Sequence, residues 1–294
     1  MIGQVVVVGS ANVDIVSRVS RIPKPGETVT ASSSAVYAGG KGLNQAVAAA
    51  RGGASTGFVG AIGQDEHAGL ILDTLISEQI DTSHLRRDSG ATGTAFVTID
   101  DTGENNIVIV AGANGALGEL TEQDRELIRE SDVLICQLEV PDSVVEQAVV
   151  AARLSGTTVI LNPAPVRAFP ATILEAVDIL IVNEHEAQQL AVTALPVPCV
   201  LTTLGPLGAE LDIRGQAPVR IPARETIAVD STGAGDTFVG VFAAEIASGV
   251  DYAAAARRAT VAASLSVEQF GAAPSIPTRE AVDGALRNET KEYT

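Results

Sequence analysis

Asp230-Ser231-Thr232-Gly233-Ala234-Gly235-Asp236-Thr237-Phe238 sets a carboxylate at the mouth of a helix, behind a run of small residues. Upstream, Ala228-Val229 closes an apolar run that reads as the end of a strand, and downstream Thr237 to Ser248 reads as a helix of small and apolar residues. Gly233, Ala234 and Gly235 then fall where the first N–H groups of a helix lack internal partners and the macrodipole is positive, so an anion belongs there. Asp236, in the same turn, is a candidate base for a hydroxyl that attacks a phosphate. The plain alternative is a tight connection that binds nothing. A dinucleotide fingerprint is excluded because Phe238 stands where its third glycine would be, and the chain contains no Gly-x-x-x-x-Gly-Lys-Ser/Thr loop.

A second constellation is Gly39-Gly40-Lys41-Gly42-Leu43-Asn44-Gln45, which opens an Ala-rich helical stretch running to Arg51. Lys41 and Asn44 are three residues apart and share a helix face. A third, Gly9-Ser10-Ala11-Asn12-Val13-Asp14, follows the apolar run Val5–Val8. In an open parallel sheet ligands bind beyond the carboxyl ends of the strands, which is where this reading puts Asn12 and Asp14. A solvated lysine in a glycine turn and an Asx-type turn are the corresponding plain alternatives.

Apolar runs at Val5–Val8, Val133–Leu138, Val159–Leu161, Ile179–Val182 and Val197–Leu201 alternate with helical stretches such as Ser143–Leu154 and Glu184–Ala191. That alternation predicts an α/β fold with a mainly parallel sheet covered on both faces. The 294 residues, 46% of them hydrophobic, suit a single domain over 1–294. Ile15 to Tyr37 and Gly93 to Ile109 have another texture, Thr/Val/Ile runs broken by Pro and Gly, and read as antiparallel strands and turns.

A net charge of −17 and an aromatic content of 3% argue against nucleic-acid binding. The start Met1-Ile2-Gly3-Gln4 lacks the charge of a secretory signal, and no apolar run is long enough to span a membrane, so a cytoplasmic location is expected. Cys136 and Cys199 sit in apolar runs and read as buried thiols. His67, His84 and His185 have no metal-ligand spacing.

The three constellations together resemble the ribokinase family, sugar kinases of the phosphofructokinase-B type. Between them, in the family's order, lie Ala111-Gly112-Ala113-Asn114, Gln137-Leu138-Glu139, Asn162-Pro163-Ala164-Pro165, Asn183-Glu184-His185-Glu186 and Thr203-Leu204-Gly205. The resemblance covers essentially the whole chain and is closer to the ribokinase branch than to the adenosine-kinase or fructokinase branches. It implies a small β-sheet lid, at about 15–37 and 93–109, over a sugar site, with the lids of two subunits clasped in a homodimer. It also implies ATP-dependent phosphorylation of the ribose 5-hydroxyl. Asn12, Asp14, Gly40, Lys41, Asn44 and Glu139 would then hold the sugar, Asp236 would act as base, and the N–H groups of Gly233, Ala234, Gly235 and Asp236 would form the anion hole.

By the same resemblance, Asn183 and Glu186 would organise Mg²⁺ and the phosphates, and the nucleotide would lie along Thr203, Leu204, Gly205, Pro206, Leu207 and Gly208, beside Gly235. A monovalent cation, K⁺, would sit among Asp230, Thr232, Ser266, Gln269, Gly271 and Ser275. The sequence departs from the family pattern at Leu43, where alanine is frequent, at Val182, where proline is frequent, and at Thr260, where Asn or His commonly meets the adenine. Two other readings remain open: a kinase for a related pentose, nucleoside or sugar acid, and a non-catalytic sugar-binding sensor, which would have no need of Asp236.

Overall fold

The computed structural model of the chain describes residues 2–292; Met1, Tyr293 and Thr294 of the expected 1–294 span lie outside the described residues. In chain order the strands are β1 (Gln4–Val8), β2 (Asn12–Arg18), β3 (Ser33–Gly39), β4 (Ser55–Ile62), β5 (Leu85–Arg87), β6 (Gly93–Ile99) and β7 (Asn105–Val110). They continue as β8 (Val133–Gln137), β9 (Thr158–Asn162), β10 (Ile179–Asn183), β11 (Cys199–Thr203), β12 (Ala209–Ile213) and β13 (Val219–Ile221). The helices are α1 (Lys41–Arg51), α2 (His67–Ser77), α3 (Glu122–Glu130), α4 (Asp142–Ser155) and α5 (Ala171–Leu174). The later ones are α6 (Glu184–Leu190), α7 (Ala234–Ala247), α8 (Tyr252–Ser266), α9 (Ala272–Ser275) and α10 (Arg279–Glu292).

Nine strands form the main sheet in the order β13-β12-β11-β10-β9-β8-β1-β4-β5. From β11 to β5 neighbours run parallel, and β12 and β13 extend the edge antiparallel. The run Val5–Val8 shows why both faces must be covered. Val5 and Val7 pack with Leu43 and Val47 of α1, Phe238 and Phe242 of α7 and Ala259 of α8. Val6 and Val8 point the other way, among Ile128 of α3 and Val145 and Val149 of α4. An unbroken apolar strand is the signature of this two-sided burial.

Three local expectations are corrected. The strand expected at Val197–Leu201 is Cys199–Thr203, because Pro198 has no N–H to give the ladder. Ala228-Val229 does not end a strand; the N–H groups of Val229 and Asp230 donate to the Val267 carbonyl beyond α8, and Ile227 is 86% exposed with no sheet to join. Asn12 and Asp14 are not in a loop after β1 but inside β2, which belongs to a second sheet.

That second sheet, of order β3-β2-β6-β7, is the lid. It is mixed rather than purely antiparallel: β2 runs antiparallel to β3 but parallel to β6. Two-residue alternation along β2 sends Asn12, Asp14, Val16 and Arg18 to one face, in register with Gly93, Ala95, Val97 and Ile99 of β6. On the opposite face Ile15 aligns with Val36, Phe96 and Val108, of which the last three are largely exposed.

Candidate active site

Asp236 lies in the first turn of α7, buried at 7% exposure. Two amides from α1 fix it: Asn44 Nδ2 donates to Oδ2 at 3.1 Å and Gln45 Nε2 to Oδ1 at 2.9 Å. α1 and α7 come this close because Gly240 faces α1; a Cβ there would lie 2.3 Å from the Gln45 carbonyl oxygen and 2.5 Å from Ala48 Cβ. Gln45 also donates to Asn162 Oδ1 at 3.1 Å and accepts from Gln137 Nε2 at 2.6 Å. A chain of buried amides therefore runs from Asp236 down to the carboxyl ends of β8 and β9. Such a network restricts the carboxylate to one orientation.

The turn before α7 needs its glycine. Gly233, at φ 77°, is the N-cap of α7, and a Cβ on it would lie 2.9 Å from Ala272 Cα. After this left-handed residue the Ala234 N–H donates to the Ser231 carbonyl at 3.3 Å, while Gly235 and Asp236 occupy the first turn, where N–H groups lack helical partners.

Across from Asp236 the lid contributes Asn12 and Asp14. Asn12 is buried, and its Oδ1 accepts from Asn114 Nδ2 at 2.7 Å, which aims its own amide nitrogen elsewhere. Asp14 lies directly over Gly39, where a Cβ would come within 2.2 Å of its Oδ2. Gly40, at φ 89°, passes Asn12 N so closely that a Cβ would approach to 2.8 Å. Glu139, from the loop after β8, accepts from Ser10 Oγ at 2.5 Å and from the Lys41 N–H at 3.1 Å. Buried Asn44 Oδ1 has no partner among the described residues, leaving an acceptor free for a bound hydroxyl.

Three carboxylates crowd this pocket, and the electrostatics record it. Burial, then the charges of Glu139 and Asp236, push Asp14 up from its ordinary 3.8 to about 7. The Lys41 ammonium is held above its ordinary range chiefly by Asp236, against burial, with help from Glu139 and Glu186. Lys41 is thus the counter-charge of the cluster and stays protonated.

On the other side of α7's first turn is a cavity of about 610 Å³. Thr203, Gly205, Pro206 and Gly208 line one wall, and Ala234, Gly235, Thr260 and Ser264 line the other. Leu204 is buried beneath it and the Leu207 side chain is 69% exposed, so those two do not line the cavity. Gly208, at φ 93°, admits no side chain, because a Cβ would sit 2.0 Å from the Ile221 carbonyl oxygen. Ala228 belongs to the rim of this cavity rather than to a strand.

Asn183 and Glu186 serve each other. Asn183 Oδ1 accepts from the Glu186 N–H at 2.8 Å and Glu186 Oε2 from the Asn183 N–H at 2.9 Å, a capping box on α6. His185 is exposed and shares a hydrogen bond with Gln189 on the same helix.

Asp230 receives the N–H of Thr232 on Oδ1 at 2.9 Å and that of Gly271 on Oδ2 at 3.0 Å. Ser266 and Ser275 donate their hydroxyl protons to the carbonyls of Ala263 and Ala272 at 2.9 Å. Gln269 follows α8, where its N–H donates to the Ser266 carbonyl at 3.3 Å. Among the described residues no group of three or more His, Cys, Asp or Glu side chains could hold a metal ion.

Sequence reasoning passed over Gln45 as a positioning group, along with Asn114 and Arg18. Gln45 is adjacent to Asn44 in the quoted motif, and Gln137 and Asn162 are polar residues ending apolar strands, which was the available signal.

A family model described as pfkB family carbohydrate kinase matches residues 3–279. The chain belongs to the pfkB family of carbohydrate kinases. Within that family it is 39% identical to the ribokinase of Haemophilus influenzae over 292 residues, covering 93% of this chain and 95% of that one. It is 37% identical to the ribokinase of Staphylococcus aureus over 306 residues, covering 96% and 99% of the two chains. The solved structure of Arabidopsis thaliana ribokinase complexed with ribose and ATP superposes with a TM-score of 0.89 at 36% identity, covering 97% of this chain and 99% of that one. This pfkB kinase thus shares the whole ribokinase fold, main sheet and lid together.

Proposed function

We propose that this protein is an ATP-dependent ribose kinase that acts in the cytoplasm, transferring the γ-phosphoryl group of ATP to the 5-hydroxyl of D-ribose and releasing ribose 5-phosphate and ADP. The observation that carries this reading is the placement of Asp236 between two sites: a polar pocket under the lid and a cavity running away from the first turn of α7. Relatives named ribokinase, and one solved with ribose and ATP, support the choice of substrates.

In this mechanism Asp14, Asn12, Asn44 and Glu139 receive the sugar hydroxyls, and the lid shields them from water. Asp236, pinned by Asn44 and Gln45, orients the 5-hydroxyl and takes its proton as it attacks the γ-phosphorus. The N–H groups at the start of α7 stabilise charge spreading onto the equatorial phosphoryl oxygens. ADP leaves along the cavity bounded by Thr203–Gly208 and Thr260. Asn183 and Glu186 would hold a hydrated Mg²⁺ through water, and the ion would supply charge neutralisation to the nucleotide phosphates. The largely buried Asp230 side chain with neighbouring backbone oxygens is a hard, low-charge donor set that suits K⁺. The exposed apolar stripe of Val36, Phe96 and Val108 on the outer lid face supports clasping by a second copy.

A coupled ADP-release screen over ribose, 2-deoxyribose, fructose, adenosine and pseudouridine tests the assignment. Ribose should give the highest kcat/KM, and a preference for either nucleoside would overturn it. If the buried Asn12 amide meets the sugar's 2-hydroxyl, 2-deoxyribose should lose about 1–3 kcal/mol of apparent affinity. Asn12→Met should narrow that gap, because no polar group would then wait for the missing hydroxyl.

Asp14 adds a pH signature. Its carboxylate, which accepts hydroxyls, is ionised in the free enzyme only above about 7. Ribose affinity should therefore rise with pH up to about 7 and level off beyond, a trend absent in Asp14→Asn. For folding the sign is opposite: charging Asp14 removes stability as pH climbs from its ordinary 3.8 to about 7, and bound sugar restores it. Isothermal titration of ribose between about pH 5.5 and 8.5 reads the first trend, and thermal melts of the sugar-free and ribose-bound protein between about pH 4 and 8 read the second.

A further inference from the structure

We infer that Arg18 is a tethered cation for the Asp230 site, carried by the lid and competing there with a monovalent ion. This inference rests on reading Asp230 as the cation-binding carboxylate. Arg18 closes the inward row Asn12, Asp14, Val16, Arg18 of β2, so the strand that touches the sugar also ends against the loop that leads into α7. Its Nη2 lies 4.0 Å from Asp230 Oδ2, and its guanidinium carbon stands 4.0 Å above the centre of the Phe270 ring. A cavity of about 280 Å³ between lid and body holds these groups, with Asp14 and Tyr37 at the lid side and Thr232 and Gly271 at the other.

Geometry decides the role. The Phe270 ring holds the guanidinium face-on, an arrangement that keeps a long side chain in one place. Asp230 is only 10% exposed and Arg18 35%, so their attraction is less screened than that of a surface pair. Both Asp230 oxygens already accept backbone N–H groups that shape the turn into α7. A positive charge at Asp230 therefore bears on the anion hole, and here one is supplied covalently when the lid is down. A second positive charge would have to share that carboxylate with the guanidinium.

The test compares wild type, Arg18→Gln and Phe270→Leu in K⁺ and in tetramethylammonium at matched ionic strength. Melting temperature of the sugar-free protein is one readout and kcat/KM for ribose the other. Wild type should respond weakly to K⁺ in both. Arg18→Gln should lose activity in tetramethylammonium and recover it in K⁺ by at least about fivefold, the lower end of ordinary coupling between sites, with a rise in melting temperature that wild type lacks. Phe270→Leu, which frees the guanidinium, should shift in the same direction. Equal K⁺ responses in all three proteins would overturn the inference and leave the cation site standing. The absence of any K⁺ response in all three, by melting and by rate, would remove the cation site and the inference with it.

Discussion

Asp236→Asn should reduce ribose turnover by about 10²–10⁴-fold, the usual weight of a general base, while ribose still binds. The substitution is not a silent exchange of charge. Both carboxylate oxygens accept from amides, Asn44 Nδ2 on one and Gln45 Nε2 on the other. An asparagine must turn its own NH₂ toward one of those donors, so a stability loss of about 1–3 kcal/mol should accompany the loss of rate. Steady-state kinetics with sugar-binding calorimetry separates the two effects: kcat collapses, and the ribose dissociation constant changes little. Turnover near that of wild type would take Asp236 out of the chemistry.

Gly240→Ala should be nearly as damaging although it touches no substrate. The added methyl would meet the Gln45 carbonyl oxygen at 2.3 Å and the Ala49 nitrogen at 2.8 Å, backbone atoms that cannot rotate away. α1 and α7 must separate, at an overpacking cost of about 1–3 kcal/mol. Those helices carry the two halves of the catalytic contact, Asn44 and Gln45 on one and Asp236 on the other. A displacement near 1 Å at a reacting group costs about 10²-fold in rate, so kcat should fall together with melting temperature. Unchanged kcat in a folded Gly240→Ala protein would mean that the spacing of these helices does not set the site.

Much of this was legible in the sequence because the chemistry sits at element ends. Gly233 to Asp236 could be placed at a helix start from the small-residue run alone, and unbroken runs such as Val133–Gln137 announced buried parallel strands. The strand Ser55–Ile62 carried no such mark. Gly57, Gly60 and Ala61 dilute its pattern, and Gly60 is demanded by tertiary contact, since a Cβ there would lie 2.8 Å from the Gly9 carbonyl oxygen. Asn12 and Asp14 were placed one element too early because the chain passes from β1 into the lid through only three residues, Gly9 to Ala11. The pairing of β2 with β6, parallel and some 80 residues away, joins segments that local pattern cannot relate. Gln45 and Arg18 act through partners distant in sequence, Asp236 and Asp230, and a periodic reading has no access to such pairs.

The position of the transferred phosphate on the sugar distinguishes a 5-hydroxyl kinase from every alternative. Phosphorus NMR of a reaction containing ATP, Mg²⁺, K⁺ and D-ribose should show the γ-phosphate signal replaced by a monoester whose phosphorus couples to the two protons of one methylene carbon, the pattern of a 5-phosphate, with one ADP formed per ester. A phosphorus coupled to a single proton, as in a 1-phosphate, or inorganic phosphate released without ester, would contradict it.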